Sequence, residues 1–400
     1  MLELCLLLAL CSCALALVCT RVLISLGHRA RTLDSSGVAG QHKQQRVVPN
    51  IGGIAIMLAM VLPMLAALAL STLSASSALL ASGPLAALSP HLAGLASVQG
   101  PLLLLIACLL ALHALGLLDD RRPMRAWPKL VLMTLPALAM ALSPGTRLLT
   151  ALDPHVGGPW LSVAITVVWF LIITNALNFL DNMDGLSAGV AAIASGLCMG
   201  GALSRGQWFV AGACALLCGA CLGFLVWNFP FREAGARIFM GDGGSLLLGF
   251  MLALISVRGT YAALGSDATP IVPLSLPAGT PWYAILAPLA MLAVPLYDFA
   301  SVCIVRLRAG RSPMMGDRNH LSHRLVRRGL SPRTAVLTIY ALTAITGLAG
   351  LLLPHATPAG ALLIAAQVLL VLLIVAMLEF GGQSPLAPYD APREPRAPSP

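Results

Sequence analysis

Charge is scarce in this sequence. Only 10% of its 400 residues are Asp, Glu, Lys or Arg, where a soluble domain carries about 25%. Too few polar side chains remain to cover a water-soluble surface. A disordered chain needs the opposite balance, low hydrophobicity with high charge. A secreted disulfide scaffold is a short chain, so that class is excluded too. Hydrophobic residues make up 58% instead, and the mean hydropathy is +0.89. This is the composition of a polytopic membrane protein.

Other absences narrow the reading. No positive charge precedes the first apolar run: Glu3 comes before it, while Arg21, His28, Arg29 and Arg31 follow. The run therefore reads as an uncleaved span, since a secretory signal places its charge first. None of the ten cysteines lies clear of an apolar run. Cys218 and Cys221 stand one helical turn apart with no His or carboxylate nearby, so they read as small buried side chains and not as a metal or redox site. No gap between runs exceeds about 30 residues, which leaves no room for a separate globular domain. No internal repeat is evident, which weakens a transporter built from inverted repeats.

What is present is a series of eleven apolar runs, at roughly 3–26, 51–73, 101–118, 130–142, 160–180, 186–204, 208–228, 244–257, 283–305, 335–353 and 359–379. An N-terminus outside and a cytoplasmic C-terminus place 21 Lys and Arg on inner segments and 3 (Arg147, Arg205, Arg258) on outer ones. That asymmetry follows the positive-inside rule. The fold class expected is an all-α polytopic membrane protein with about eleven transmembrane helices. The net charge of +9 orients the chain in the bilayer and gives no support for a nucleic-acid partner. Residues 1–380 form one transmembrane domain, and 381–400 read as a Pro-rich disordered cytoplasmic tail. The uncharged outer segment 74–100 reads as a hairpin dipping into the interface.

With fifteen acidic residues in the chain, their placement carries information. Asp119, Asp120, Asp181, Asp184 and Asp242 all fall at inner ends of spans, where carboxylates gather only if cations or basic groups join them. A divalent cation acting on a phosphorylated substrate is the simplest physical reading.

Four groups stand out. In GLLDDRRPMRAWPK, Asp119 and Asp120 end one span and Lys129 opens the next; adjacent helical positions point about 100° apart, so the two acids need not share a role. In NALNFLDNMDGLSAG, Asn175, Asn178 and Asp181 form a polar stripe, and the helix is expected to break between Asp181 and Gly185. Asn in such a span is costly unless it binds something, and interhelical hydrogen bonding is the alternative. In MGDGGS, glycines surround Asp242 at a helix start, a place where bare backbone N–H groups bind phosphate. Asp242 there either caps the helix or holds a cation. In GDRNHLSHRLVRR, His320 and His323 stand among Arg318, Arg324, Arg327 and Arg328, a set that favours an anion over zinc.

Together, and in this order from about Asp34 to Ser331, the groups resemble the polyprenyl-phosphate N-acetylhexosamine-1-phosphate transferases, glycosyltransferase family 4. The likeness begins in HKQQRVVPNIGG. Within the family the chain looks most like the bacterial undecaprenyl-phosphate N-acetylglucosaminyl-1-phosphate transferases, with the phospho-MurNAc-pentapeptide transferases as cousins. The resemblance implies transfer of a sugar 1-phosphate from a UDP-N-acetylhexosamine to undecaprenyl phosphate, with release of UMP, at the cytoplasmic face of the bacterial inner membrane. It implies catalytic roles for Asp119, Asp120, Asp181, Asp184 and His320. Lys43, Lys129, Asn175, Arg318, His323 and Arg324 would bind substrate, and Asn178 and Asp242 would hold Mg2+ or Mn2+. A homodimer is left open.

Two positions depart from the family's pattern: Asn182 replaces a usual Gly, and Ser322 interrupts a usual run of histidines. A histidine at 322 is therefore expected to be tolerated. The rival reading is a cation-coupled transporter, prompted by the many spans and clustered carboxylates. Transporter sites lie near the midplane, and only Asp298 falls clearly inside a span, with Arg306 eight residues on, close enough for a bound group to link them.

Overall fold

The computed structural model describes residues 1–30, 48–74, 94–96, 98–231, 235–261, 283, 286–314 and 316–381. Lys43, most of the 74–100 segment and the tail beyond 381 lie outside the described residues. Every apolar run becomes helix: α1 (Leu2–Ala30), α2 (Gly53–Ser74), α3 (Gln99–Arg121), α4 (Ala126–Leu142), α5 (Trp160–Leu180), α6 (Leu186–Ser204), α7 (Trp208–Asn228), α8 (Asp242–Tyr261), α9 (Ala287–Met291), α10 (Ala293–Arg308), α12 (Pro332–Leu352) and α13 (Pro358–Phe380). A short amphipathic piece, α11 (Leu321–Arg327), precedes α12. Nine of these helices among the described residues are long and apolar enough to cross a membrane. The fold is all-α and polytopic, as the composition requires.

Two runs depart from a simple span. The fourth, α4, has 17 residues. The ninth is divided at Leu292 into α9 and α10. Pro295 explains the division, because it has no N–H to offer the carbonyl of Met291 four residues back. The later helices start on conventional signals. Ser331 and Thr357 accept the N–H groups of Thr334 and Gly360, and Pro332 and Pro358 occupy the first helical positions.

Helix α8 runs through the centre, against α3, α5 and α6. Leu246, Leu247, Leu248, Phe250 and Met251 on it are all essentially buried. At the periphery, α1 and α13 turn leucines such as Leu362 and Leu363 outward. Lipid is as apolar as these side chains, so close packing of small residues has to hold the helices together. Gly219 and Gly223 of α7 show it: a Cβ on either would stand about 2 Å from the carbonyl oxygens of Ala9 and Cys13 on α1. Cys221 is buried beside them and all ten cysteines are free.

One loop contact prepares the site. Pro49 O accepts the N–H of Phe239, and Gly52 and Gly53 donate to the carbonyls of Phe239 and Met240 at 2.9 and 2.8 Å. The segment before α2 is thereby sewn to the segment before α8.

Candidate active site

The close approach of α3 to α8 sets the geometry. At Gly116 a Cβ would lie 2.3 Å from the backbone nitrogen of Gly243, so only glycine lets the two chains touch. One turn later on α3, Asp120 reaches the start of α8. Its Oδ1 accepts the N–H of Asp242 at 3.1 Å and the amide of Asn50 at 3.2 Å; its Oδ2 accepts the N–H of Gly243 at 3.4 Å. The N–H groups of Gly244 and Ser245 turn back to Gly241 O at 3.1 Å. Gly241 has φ of +72°, and any side chain there would collide with Asp120.

This corrects two expectations. The first-turn amides of α8 are not bare for phosphate, because Asp120 and Gly241 occupy them. Nor does Asp242 cap its own helix: the capping carboxylate arrives from α3. Asp242 turns its Oδ2 to Lys129 Nζ at 2.5 Å, and the same ammonium lies 2.8 Å from Asp119 Oδ2. Asp119 Oδ1 takes the N–H of Met124 at 2.6 Å, closing the α3–α4 turn. Adjacent in sequence, Asp119 and Asp120 thus do different work. Side chains of Asp119, Lys129 and Asp242 are 13–16% exposed, so the bridge is shielded yet reachable.

Helix α5 brings the second group. Asn178 Nδ2 donates to Ser245 Oγ on α8 at 2.9 Å, the interhelical bond, which leaves its amide oxygen for another partner. Asn175 bonds back to Leu171 O on its own helix. The helix ends at Leu180 and Asp181 is its C-cap, so the break falls where Gly185, with φ of +78°, allows it. The turn is held from several sides. Asn228 Oδ1 accepts Gly185 N–H, the Tyr340 hydroxyl donates to Gly185 O, and Asp184 Oδ2 accepts Ala236 N–H at 2.9 Å.

The third group corrects the expected link between Asp298 and Arg306. Arg306 does not face Asp298. It is buried over the ring of Phe179, 5.1 Å from its centroid, and pairs with Asp317 at 3.0 Å. Burial raises the Asp317 carboxyl, but the Arg306 guanidinium and the N–H groups of Asn319 hold it below the usual range. Asp298, fully buried, joins His320 Nδ1 at 2.9 Å and the N–H of Leu321 at 2.6 Å. His320 sets its ring edge on Phe179, centroids 5.7 Å apart, which links this loop to the end of α5.

Arg324, expected on the substrate, is 5% exposed and engaged inside the protein with Glu379, Ser301 and the carbonyl of Asn319. Arg318 is exposed. His323 is half-buried; burial, then the positive surroundings of His320, Arg318 and Arg327, push it down to about 4. Ser322 is 1% exposed and donates to Asn182 Oδ1. The two departures from the family's pattern therefore bond to each other, and a histidine at 322 has no room.

Sequence reading missed Asn50, Asp317 and the role of Asp298. The usable signal for Asp298 was a carboxylate inside a span, which requires a partner.

Residues 102–260, from α3 to α8, match the model of glycosyl transferase family 4. A probable undecaprenyl-phosphate N-acetylglucosaminyl 1-phosphate transferase of Bacillus subtilis is 32% identical over 61% of this chain and 63% of its own length. A decaprenyl-phosphate N-acetylglucosaminephosphotransferase of Mycolicibacterium smegmatis is 37% identical over 57% of each chain. An undecaprenyl-phosphate alpha-N-acetylglucosaminyl 1-phosphate transferase of Escherichia coli K12 is 28% identical over 70% of this chain and 71% of its own. The chain spans less than two thirds of the length of the first two. The matched residues carry Asp119, Asp120, Lys129, Asn178, Asp181, Asp184 and Asp242, and over them the chain is similar to glycosyl transferase family 4.

Proposed function

We propose that this protein transfers a sugar 1-phosphate, N-acetylglucosamine 1-phosphate by the names of its relatives, from a UDP-sugar to a polyprenyl phosphate at the cytoplasmic face of a bacterial inner membrane. The observation that carries the reading is the Asp119–Lys129–Asp242 bridge, with Asp120 seated on the α8 amides beside it. It gathers carboxylates of two helices and one ammonium at one end of the bundle. The contact of His320 with Phe179, next to Asn178, brings the basic loop to the same end.

The donors there are oxygens of Asp119, Asp242 and Asn178, the hard set that Mg2+ and Mn2+ prefer. One ammonium among three carboxylates leaves negative charge for a cation to balance. Asp242 and Asn178 would hold it. Among the described residues no three His, Cys, Asp or Glu form a metal cluster, which suits an ion completed by water and substrate phosphate. When bound, such an ion neutralises charge on the transferring phosphates.

In the reaction, a lipid phosphate oxygen bonds to the β-phosphorus of the UDP-sugar. The bond from that phosphorus to the bridging oxygen breaks, and UMP leaves with the oxygen and the electron pair. Such a transfer needs positioning and charge neutralisation more than covalent help. Lys129 and exposed Arg318 bind phosphate, His320 meets the diphosphate, and Asp181 and Asp184 line the sugar side. Asp120 works through the backbone of α8, which leaves Asp119 as the carboxylate nearer the lipid phosphate.

The test is UMP release by purified protein given polyprenyl phosphate and a panel of UDP-sugars, with Mg2+ or with chelator. UMP should appear only with both substrates and metal. Turnover of the pentapeptide-bearing donor would instead place the chain with the peptidoglycan branch. Solute uptake into proteoliposomes without any UMP would sink the transferase reading.

A further inference from the structure

Asp298 is a carboxylate with no exposure, on a helix that the proposed reaction does not otherwise use. Its two oxygens are spent on neighbouring atoms of one loop. Oδ1 accepts the N–H of Leu321, the first residue of α11, and Oδ2 meets Nδ1 of His320, the residue that precedes it. An N-cap residue normally satisfies the helix start with its own side chain. His320 makes no such cap, so Asp298 holds both the helix start and the ring from the adjoining helix. The ring is fixed in a second direction by its edge contact with Phe179.

A carboxylate can only accept, so its partner nitrogen carries the proton. Among the described residues, Nε2 of His320 makes no hydrogen bond, and it is not among the buried unpartnered atoms. Resting on the transferase reading above, we infer that Asp298 is a positioning residue, whose carboxylate takes Nδ1–H of His320, favours the doubly protonated ring and presents Nε2–H to the diphosphate of the UDP-sugar. Arg324 reinforces it: its guanidinium, bonded to Ser301, lies 4.0 Å from Asp298 Oδ1.

Asn at 298 is the informative substitution. Its oxygen still accepts from Leu321, but its NH2 now faces Nδ1 of His320 and can donate only to a bare nitrogen, so the ring is left neutral with its one proton on Nε2. The fold is kept while the ring loses its charge, and a charge-assisted hydrogen bond to phosphate reduced to a neutral one lowers turnover by about tenfold. Asp298→Asn should therefore reduce kcat with little change in KM for the UDP-sugar. In a His320→Gln background the same substitution should cost nothing further, because its effect passes through the ring.

Selective 15N-histidine labelling, with the His320 signals assigned by their loss in His320→Gln, reads the protons on both ring nitrogens without substrate. Both nitrogens should carry protons in the wild type and Nε2 alone in Asp298→Asn. If Asp298→Asn does not fold, Asp298→Glu keeps the carboxylate and should keep the wild-type ring protonation. An equal loss of kcat in both backgrounds, or a His320 ring protonated alike with carboxylate and amide at 298, overturns the inference. A wild-type protein that releases no UMP from any donor sinks the transferase reading alone, since the labelling experiment still decides the pair.

Discussion

Lys129 is one of two lysines among 24 basic residues, and its position explains why an arginine does not stand there. A compact ammonium fits between Asp119 and Asp242 at 2.8 and 2.5 Å, whereas a planar guanidinium presents its fork to one carboxylate at a time. Lys129→Met should abolish UMP release and lower the thermal midpoint in detergent, because two shielded carboxylates lose their shared counter-charge. Adding Asp119→Asn should restore the midpoint but not the turnover. Lys129→Arg should remain at least tenfold slower than wild type, and a wild-type rate would sink the bridging role. His323 yields a pH prediction. Its folded state disfavours the proton down to about 4, while an unfolded histidine takes it up near 6.5. Its contribution is therefore complete above pH 6.5 and lost as the pH falls toward 4. His323→Gln should flatten the decline of the thermal midpoint between pH 7 and pH 4.5; an unchanged slope would count against the assignment.

At the scale of elements, the contact of α3 with α8 positions everything else. Gly116→Ala adds one methyl against the backbone of Gly243 and should part the helices enough to draw Asp120 from the α8 amides. The expected result is a membrane-inserted protein with turnover at least tenfold down and weaker donor binding, read by UMP release against a folding control. Normal activity would show that the approach is not needed. On the opposite side of the site, Ser322→His should lower stability, because the buried hydroxyl bonded to Asn182 leaves no volume for a ring. Ser322→Ala should cost about 0.5–1.5 kcal/mol, the net worth of a hydrogen bond. These contacts mark the limit of what the sequence discloses. Hydrophobic runs and Ser–Pro or Thr–Pro starts make α12 and α13 readable along the chain, and Gly185 announces the break after α5. The glycines around Asp242 announce a tight helix start, but not what fills it. That depends on Asp120, 122 residues away. Likewise Asp298 shows itself as a buried acid in need of a partner, while the choice of His320 over Arg306 is made only when α10 and α11 fold together.

For the whole molecule, the arrangement of charge predicts which way the site faces. Arg121, Arg122, Arg125 and Lys129 flank the Asp119 bridge, and Arg306 to Arg333 adjoin His320, so the basic end of the bundle is also the end that holds the carboxylates. Basic flanks are retained in the cytoplasm during insertion. On that rule the basic end is expected to face the cytoplasm, where the proposed UDP-sugar donor would be dissolved. At the other end, Arg147 pairs with Asp153 in the turn between α4 and α5, which lowers the positive charge there. That turn should be outside the cell membrane and the loop after α10 inside. His155 and Arg311, both exposed, are the positions to probe. The native cysteines lie within the apolar helices, where a membrane-impermeant maleimide dissolved in water does not reach them. His155→Cys should react with such a reagent in intact spheroplasts, and Arg311→Cys only after the membrane is opened. Labelling of Arg311→Cys from outside would reverse the orientation and put the site on the wrong face for a soluble UDP-sugar.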